Sequence, residues 1–245
     1  MRIHTLLAVA LALLSFAVSA APPAAQVTLL TGQGTATAPG GTIRILAKGA
    51  DVFARELISS GPSTYLNLKF RDGSFIMLRP NSRMQIEAFT YETPEIPAAQ
   101  PAAAPAEPAI VPRAQTQQAY FSLLKGGFRA VTGLIGKANK EEYRFNTPIA
   151  TIGIRGTDYV VILCDAACNN DPVIGASLQG GQQAAGGIVV GTISGGVFVS
   201  SSGGTTEVKE NKYTMVLPDG TTTQLPYEPR LLRVDPIPNP QACGG

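Results

Sequence analysis

Three groups of residues in this sequence have types and spacings that could do chemistry: two cysteines four apart, a scatter of aspartates, and one arginine inside an apolar run. Cys164 and Cys168 could hold a metal, remain a thiol pair or close a disulfide. No histidine or second cysteine pair accompanies them, so a zinc site would be short of ligands; a disulfide at a strand end is the expectation, with a free pair as the alternative. Cys243, the odd cysteine, is left as a free thiol or for pairing between chains. Asn169, Asn170 and Asp171 invite a calcium reading, but Ala167 and Val173 stand where such a loop needs oxygen ligands. Gly133-Leu134-Ile135-Gly136-Lys137 has the outline of a phosphate loop, yet Val131 replaces its first glycine and Ala138 its magnesium-binding hydroxyl. No metal and no cofactor is expected.

Acid–base chemistry fares no better. Asp51, Asp72, Asp158 and Asp219 fall in separate turns, and no spacing sets two carboxylates on one face. His4, the single histidine, lies in the first twenty residues, so the rest of the chain has no Ser-His-Asp or Cys-His pair to activate. No catalytic residue is assigned, and the chain is not expected to be an enzyme. Arg155 is the lone charge between Ile149 and Thr157. It is expected to be a strand-end arginine satisfied by a carboxylate such as Asp158 or by backbone carbonyls. The alternative is an anchor for an anionic ligand or a partner, with Gly153, Gly156 and Thr157 beside it as candidate binding positions.

The elements that would position these residues are short strands. The chain has 245 residues, 44% of them hydrophobic and 15% charged, with 26 glycines and 19 prolines. One main domain rich in turns fits that composition, and all-β is the expected class. A formal net charge of +2, with lysine and arginine scattered, lacks the basic face of a nucleic-acid binder.

Arg2 and His4, an apolar run from Leu6 to Val18 and the small residues Val18-Ser19-Ala20 read as an export signal over residues 1–20, cut after Ala20, which places the product in the periplasm. No further stretch is long enough to span a membrane after cleavage. The domain is expected over residues 27–225, interrupted by a flexible insertion of proline, alanine and glutamine over residues 93–118 and followed by a proline-punctuated tail over 226–245.

Within the domain, Leu66, Leu68 and Phe70 share one face of a strand whose partner begins at Ser74. A two-residue Asp72-Gly73 turn would send Ile76 and Leu78 to the wrong face. A three-residue Arg71-Asp72-Gly73 loop pairs Leu68 with Ile76 and Leu66 with Leu78, with Gly73 left-handed. Asp72 therefore reads as a turn residue. From Arg144 to Val161, Pro148, Gly153 and Gly156 break an apolar run into short strands that turn, dense enough in Ile and Val to be buried on both faces. Residues 174–187 read as a glycine-rich loop, and further short strands follow from Ile188 to Leu225.

Thr147-Pro148-Ile149-Ala150, then Gly153-Ile154-Arg155-Gly156-Thr157 with Tyr159 two residues on, closely resemble the signature of the FecR family. The likeness extends to residues 123–129, to Arg71-Asp72-Gly73-Ser74 and to Pro80-Asn81-Ser82. It implies a β-solenoid-like, β-roll or sandwich domain in which Asp72, Gly73, Thr147 and Pro148 are structural motif positions. The family's known members are largely bacterial envelope proteins. Its signalling members carry a cytoplasmic segment and a membrane helix ahead of this domain, which meets the signalling domain of an outer-membrane transporter; this sequence reads as a stand-alone exported form. The resemblance thus implies a non-catalytic module that binds another envelope protein, in signalling or as an accessory component, and exposed strand edges suit β-augmentation by such a partner. A periplasmic ligand-binding module is the alternative, taking a cell-wall glycan or small anion on Arg155 and the glycine-rich loop from Gly175 to Gly187. The oligomeric state is open.

Overall fold

The computed structural model of the protein describes residues 21–92 and 117–233. The expected leader, most of the insertion, and Cys243 lie outside these residues.

The strands run β1 (Ala25–Leu30), β2 (Gly34–Thr37), β3 (Ile43–Leu46), β4 (Asp51–Val52), β5 (Leu57–Ser60), β6 (Leu66–Phe70), β7 (Phe75–Leu78), β8 (Arg83–Thr90) and β9 (Gln118–Lys125). The second half has β10 (Gly127–Val131), helix α1 (Leu134–Ala138), β11 (Tyr143–Asn146), β12 (Ala150–Ile154), β13 (Asp158–Leu163), helix α2 (Pro172–Ser177), β14 (Ile188–Ser194), β15 (Gly196–Ser201), β16 (Gly204–Lys209), β17 (Lys212–Val216) and β18 (Thr222–Leu225). The expected all-β class is what the chain adopts. No helix among the described residues is long and apolar enough to cross a membrane.

Two nine-stranded sheets face each other. Sheet A has the order β18-β17-β14-β13-β10-β7-β6-β1-β4, and sheet B the order β16-β15-β12-β11-β9-β8-β5-β2-β3. From β6 onward the chain lays down antiparallel pairs alternately in one sheet and the other, so both sheets grow in sequence order. The pattern changes once: β10 crosses alone into sheet A, and β11 returns parallel to β9. That single excursion is a solenoid turn set inside a sandwich.

The β6–β7 hairpin has the expected three-residue loop. Leu66 faces Leu78, Leu68 faces Ile76, and Gly73 takes φ +80°. The inner faces meet in an aromatic spine: Phe145 stacks on Phe128 at 4.0 Å and on Phe121 at 4.7 Å, and Phe121 meets Phe70 edge-on at 5.2 Å. Such pairs add roughly 0.5–1.5 kcal/mol each beyond area burial.

Burial on both faces holds for β13 but not for β12. In β12, Ile152 and Ile154 are buried while Thr151 is exposed. In β13, Tyr159 and Val161 enter the main core, and Val160 enters a second apolar cluster on the outer side of sheet A. That outer side is covered by residues 164–187, which hold a short 3-10 turn (Ala166–Asn170) and α2, whose last turn falls where the sequence reads as a loop from residue 174. Asp171 accepts from the N–H groups of Val173 and Ile174, and Pro172 follows at the first helical position, so Asp-Pro is a helix start.

Two expected boundaries also move. Gln118 pairs with Thr90 and belongs to β9 rather than to the insertion. The beginning of the tail packs back, and Leu232 is buried.

Candidate functional site

The signature residues sort to the two ends of the sandwich. At one end lie the β6–β7 turn, the β10–α1 connection and the β12–β13 turn. Asp72 is only 1% exposed there. Its Oδ1 accepts from the backbone N–H of Ser74 at 3.0 Å and from Ser74 Oγ at 2.6 Å, and its Oδ2 accepts from the N–H of Ile135 at 3.4 Å. Its carbonyl accepts from the N–H of Leu134 at 2.8 Å. Gly133, at the N-cap of α1, has no side chain to offer, so Asp72 caps that helix from another part of the chain. It is a turn residue as expected, and also a bridge between turns.

Thr157 makes the second bridge. Its hydroxyl donates to the Gly196 carbonyl at 2.8 Å and accepts from the N–H of Arg155 at 3.1 Å. Thr132 Oγ1 donates to the Thr157 carbonyl at 3.0 Å. The Thr157 hydroxyl proton is thus committed to joining β12, β13 and β15, and none is left to donate to a ligand.

Arg155 departs from its expected role. Asp158 is held by Arg129, whose Nε lies 2.7 Å from Asp158 Oδ1. Arg155 is exposed, and among the described residues its guanidinium has no hydrogen bond or ion pair. The physical reason is sheet order: β10 lies beside β13 with Val131 opposite Asp158, which delivers Arg129 to the acid. Gly156 has φ +65° but open space where a Cβ would stand, and Gly153 has open space too, so neither marks a close backbone approach.

Arg155 and the glycine-rich segment do not converge. Asp158 faces Ser194 at one end of β13 and Leu163 faces Ile188 at the other, which separates the two regions by about 17–20 Å along a six-residue strand.

Thr147 and Pro148 lie at the opposite end. Thr147 Oγ1 exchanges hydrogen bonds with Ala150 and closes the β11–β12 turn, while Pro148 is exposed. Ser82 accepts from the Gly127 N–H and donates to its carbonyl, both at 2.9 Å. Gly126 lies so close that a Cβ would stand 2.3 Å from Ser82 Oγ. Cys164 and Cys168 form the expected disulfide, with Cα atoms 5.5 Å apart. Asp171 Oδ2 accepts from the N–H of Leu231, and Asn169 Oδ1 from that of Ala184, so these side chains serve the loop rather than an ion. Asp219 accepts from the N–H of Thr221 at 2.8 Å, and this bond holds its carboxyl below the usual range.

Two buried hydroxyls stand out. Tyr143 and Tyr159 are fully buried and face one another, and neither hydroxyl makes a well-formed hydrogen bond. Burial pushes both up from the ordinary tyrosine value; the negative charge of Asp72 adds to the effect at Tyr143, and the proximity of Tyr143 adds to it at Tyr159.

The feature that the sequence reading passed over is the edge of sheet B. Its outer face is largely polar: Ser122 bonds to Glu87, Asn146 to Glu87 at 3.2 Å, and Thr151 to Asn146 at 3.1 Å. At β3 the character changes, with Ile43 66% and Ile45 82% exposed. The N–H of Ala38 bonds to the carbonyl of Thr42, so by antiparallel alternation Arg44 and Leu46 bond to β2 and the backbone groups of Ile43 and Ile45 point to the open edge. Arg44 points inward. It lies 2.7 Å from Glu56 Oε2 and donates to the carbonyl of Asp51 at 2.6 Å. The sequence signal was Ile-x-Ile after a Gly-Gly turn, and alternation alone did not say which side was covered.

These features define an all-β sandwich whose signature residues tie turns together, and whose open strand edge is apolar. The chain belongs to the FecR family: the family described as FecR protein matches residues 56–181. No curated protein matches it. Two crystal structures of a candidate anti-sigma factor from Parabacteroides distasonis are similar at 12% and 13% identity, with TM-scores of 0.44 and 0.43. The similarity covers 72% of this chain and 62% of theirs. A cell surface anchoring domain is similar at 25% identity over 26% of this chain and 83% of its own, with a TM-score of 0.25.

Proposed function

We propose that this chain is an exported, non-catalytic FecR-type module that binds another protein of the cell envelope, in signalling or as an accessory component, and that the partner docks on β3. The open edge at Ile43 and Ile45 carries this reading. It offers unpaired N–H and C=O groups flanked by two exposed β-branched side chains, which is the arrangement that β-augmentation uses. The complementary partner segment is an extended strand with apolar residues at alternate positions. Arg44 is already bonded to Glu56, so an acidic residue in the partner is not required. Export is supported by the leader pattern of residues 1–20, and intact mass of the product tests it, with Ala21 expected as the first residue.

The non-catalytic reading is supported by three of the four scattered aspartates. Asp72, Asp158 and Asp219 each hold backbone groups or an arginine, in separate places. The glycan or anion reading loses its proposed site, because Arg155 and the segment from Gly175 to Gly187 lie at opposite ends of β13. Capture from envelope extracts by the wild-type chain, compared with Ile45→Lys, tests the proposal. The variant should keep its melting temperature and lose the captured protein; equal capture by both would remove β3 from the account.

A further inference from the structure

Residues 164–187 and the docked start of the tail cover an apolar surface on the outer side of sheet A. Val160, Val189, Met215, Leu217 and Leu225 project there, away from the main core, beneath Cys164, Cys168, Ile174, Ala184 and Leu232. The cover contains no strand. It is held at its base by Cys164 bonding to Gly187 and Gly186 bonding to Cys164, both at 2.8 Å. Within it, Ala184 bonds to Asn169, and Leu231 is held from two sides by Asp171 and by Arg79 at 2.7 Å. Its one covalent link joins Cys164, just past β13, to Cys168 in the 3-10 turn. The two cysteines also line neighbouring openings. Cys168 borders a cavity of about 290 Å³ with Arg79, Asp165 and Leu231, and Cys164 borders a groove of about 420 Å³ with Leu124 and Lys125.

We propose that the Cys164–Cys168 disulfide is a redox-sensitive clamp on this cover: reduction by a dithiol loosens residues 164–187 and the tail docked on them, and bares the apolar outer face of sheet A while the sandwich stays folded. In the first step a thiolate of the reductant attacks one sulfur through its opening and forms a mixed disulfide, and the other cysteine leaves as a thiolate that takes up a proton. The reductant's second thiol then displaces the protein sulfur, leaving two cysteine thiols and an oxidised dithiol. The cover holds no strand and is tied to the sheet by few backbone bonds, so it is where a lost cross-link should show as local opening. The inference is independent of partner docking at β3.

The test is hydrogen exchange on the full exported chain in a Cys243→Ser background, oxidised or treated with dithiothreitol without denaturant. A mass gain of about two hydrogens confirms reduction, since each cysteine acquires one. Amides of residues 166–177 and 230–232 should then exchange roughly 10- to 30-fold faster, and β5 to β12 should be unchanged. Binding of an apolar dye should rise in parallel. Cys164→Ser combined with Cys168→Ser should match the reduced state without reductant; if that variant fails to fold, the reduced wild-type chain still decides. A disulfide that yields only after global unfolding, or a reduced chain whose exchange is unchanged, would overturn the proposal.

Discussion

The guanidinium of Arg129 and the carboxylate of Asp158 meet across the β10–β13 pair, with Nε and Oδ1 2.7 Å apart and both side chains less than a fifth exposed. This pair takes the acid nearest in sequence to Arg155 and leaves Arg155 in solvent. The two arginines should therefore behave in opposite ways. Asp158→Ala strands a mostly buried guanidinium and should cost about 1–3 kcal/mol. Arg155→Ala should stay within about 0.5 kcal/mol of the wild-type chain. Urea unfolding of both variants measures this, and a larger loss for Arg155→Ala would contradict the assignment.

The glycines at the two ends of the sandwich should differ as well. Gly126 combines φ +75° with a position where a Cβ would stand 2.8 Å from the backbone of Ser82, whereas Gly156 has φ +65° and open space. Gly156→Ala should cost about 1 kcal/mol, from backbone conformation alone. Gly126→Ala adds a clash with Ser82 and should cost about 3 kcal/mol or more. Melting temperatures of the two variants check the order.

Alkaline stability should report on the paired tyrosines. Their values are raised by burial, so the protonated form is the one the folded state keeps. Their contribution is fully present below about pH 10, the unfolded tyrosine value, and is lost as pH rises above it. Each tyrosine should add about 1.4 kcal/mol per pH unit to that loss. Tyr159→Phe should be neutral or stabilising at pH 7, because it removes a buried hydroxyl without a well-formed bond, and it should flatten the alkaline slope. An unchanged slope would show that the Tyr159 hydroxyl does not contribute to the alkaline loss.

What was legible in the sequence follows from local rules. The β6–β7 register could be read because alternation and Gly73 leave one loop length that keeps Leu66, Leu68, Ile76 and Leu78 on one face. The disulfide could be expected, ahead of a free pair, because no histidine or second cysteine pair accompanies its cysteines. Partners set by sheet order could not. Arg129 reaches Asp158 because β10 leaves sheet B alone and lands beside β13, which no spacing encodes. Asp72 looked like a turn residue, and its second task, capping α1 more than sixty residues away, depends on which turns the sandwich brings together. The start of α2 was legible in Asp171-Pro172 but was hidden by the glycines that follow it.

Docking of a partner strand on the open edge of β3 can be caught in the cell by site-specific cross-linking. A photo-activatable residue placed at Ile45 in the exporting cell should give one discrete adduct with another envelope protein. The same residue at Glu207, on β16 at the opposite edge of sheet B, should give none. An adduct from Glu207 with none from Ile45, or none from either in cells where the protein is folded and exported, would contradict the account.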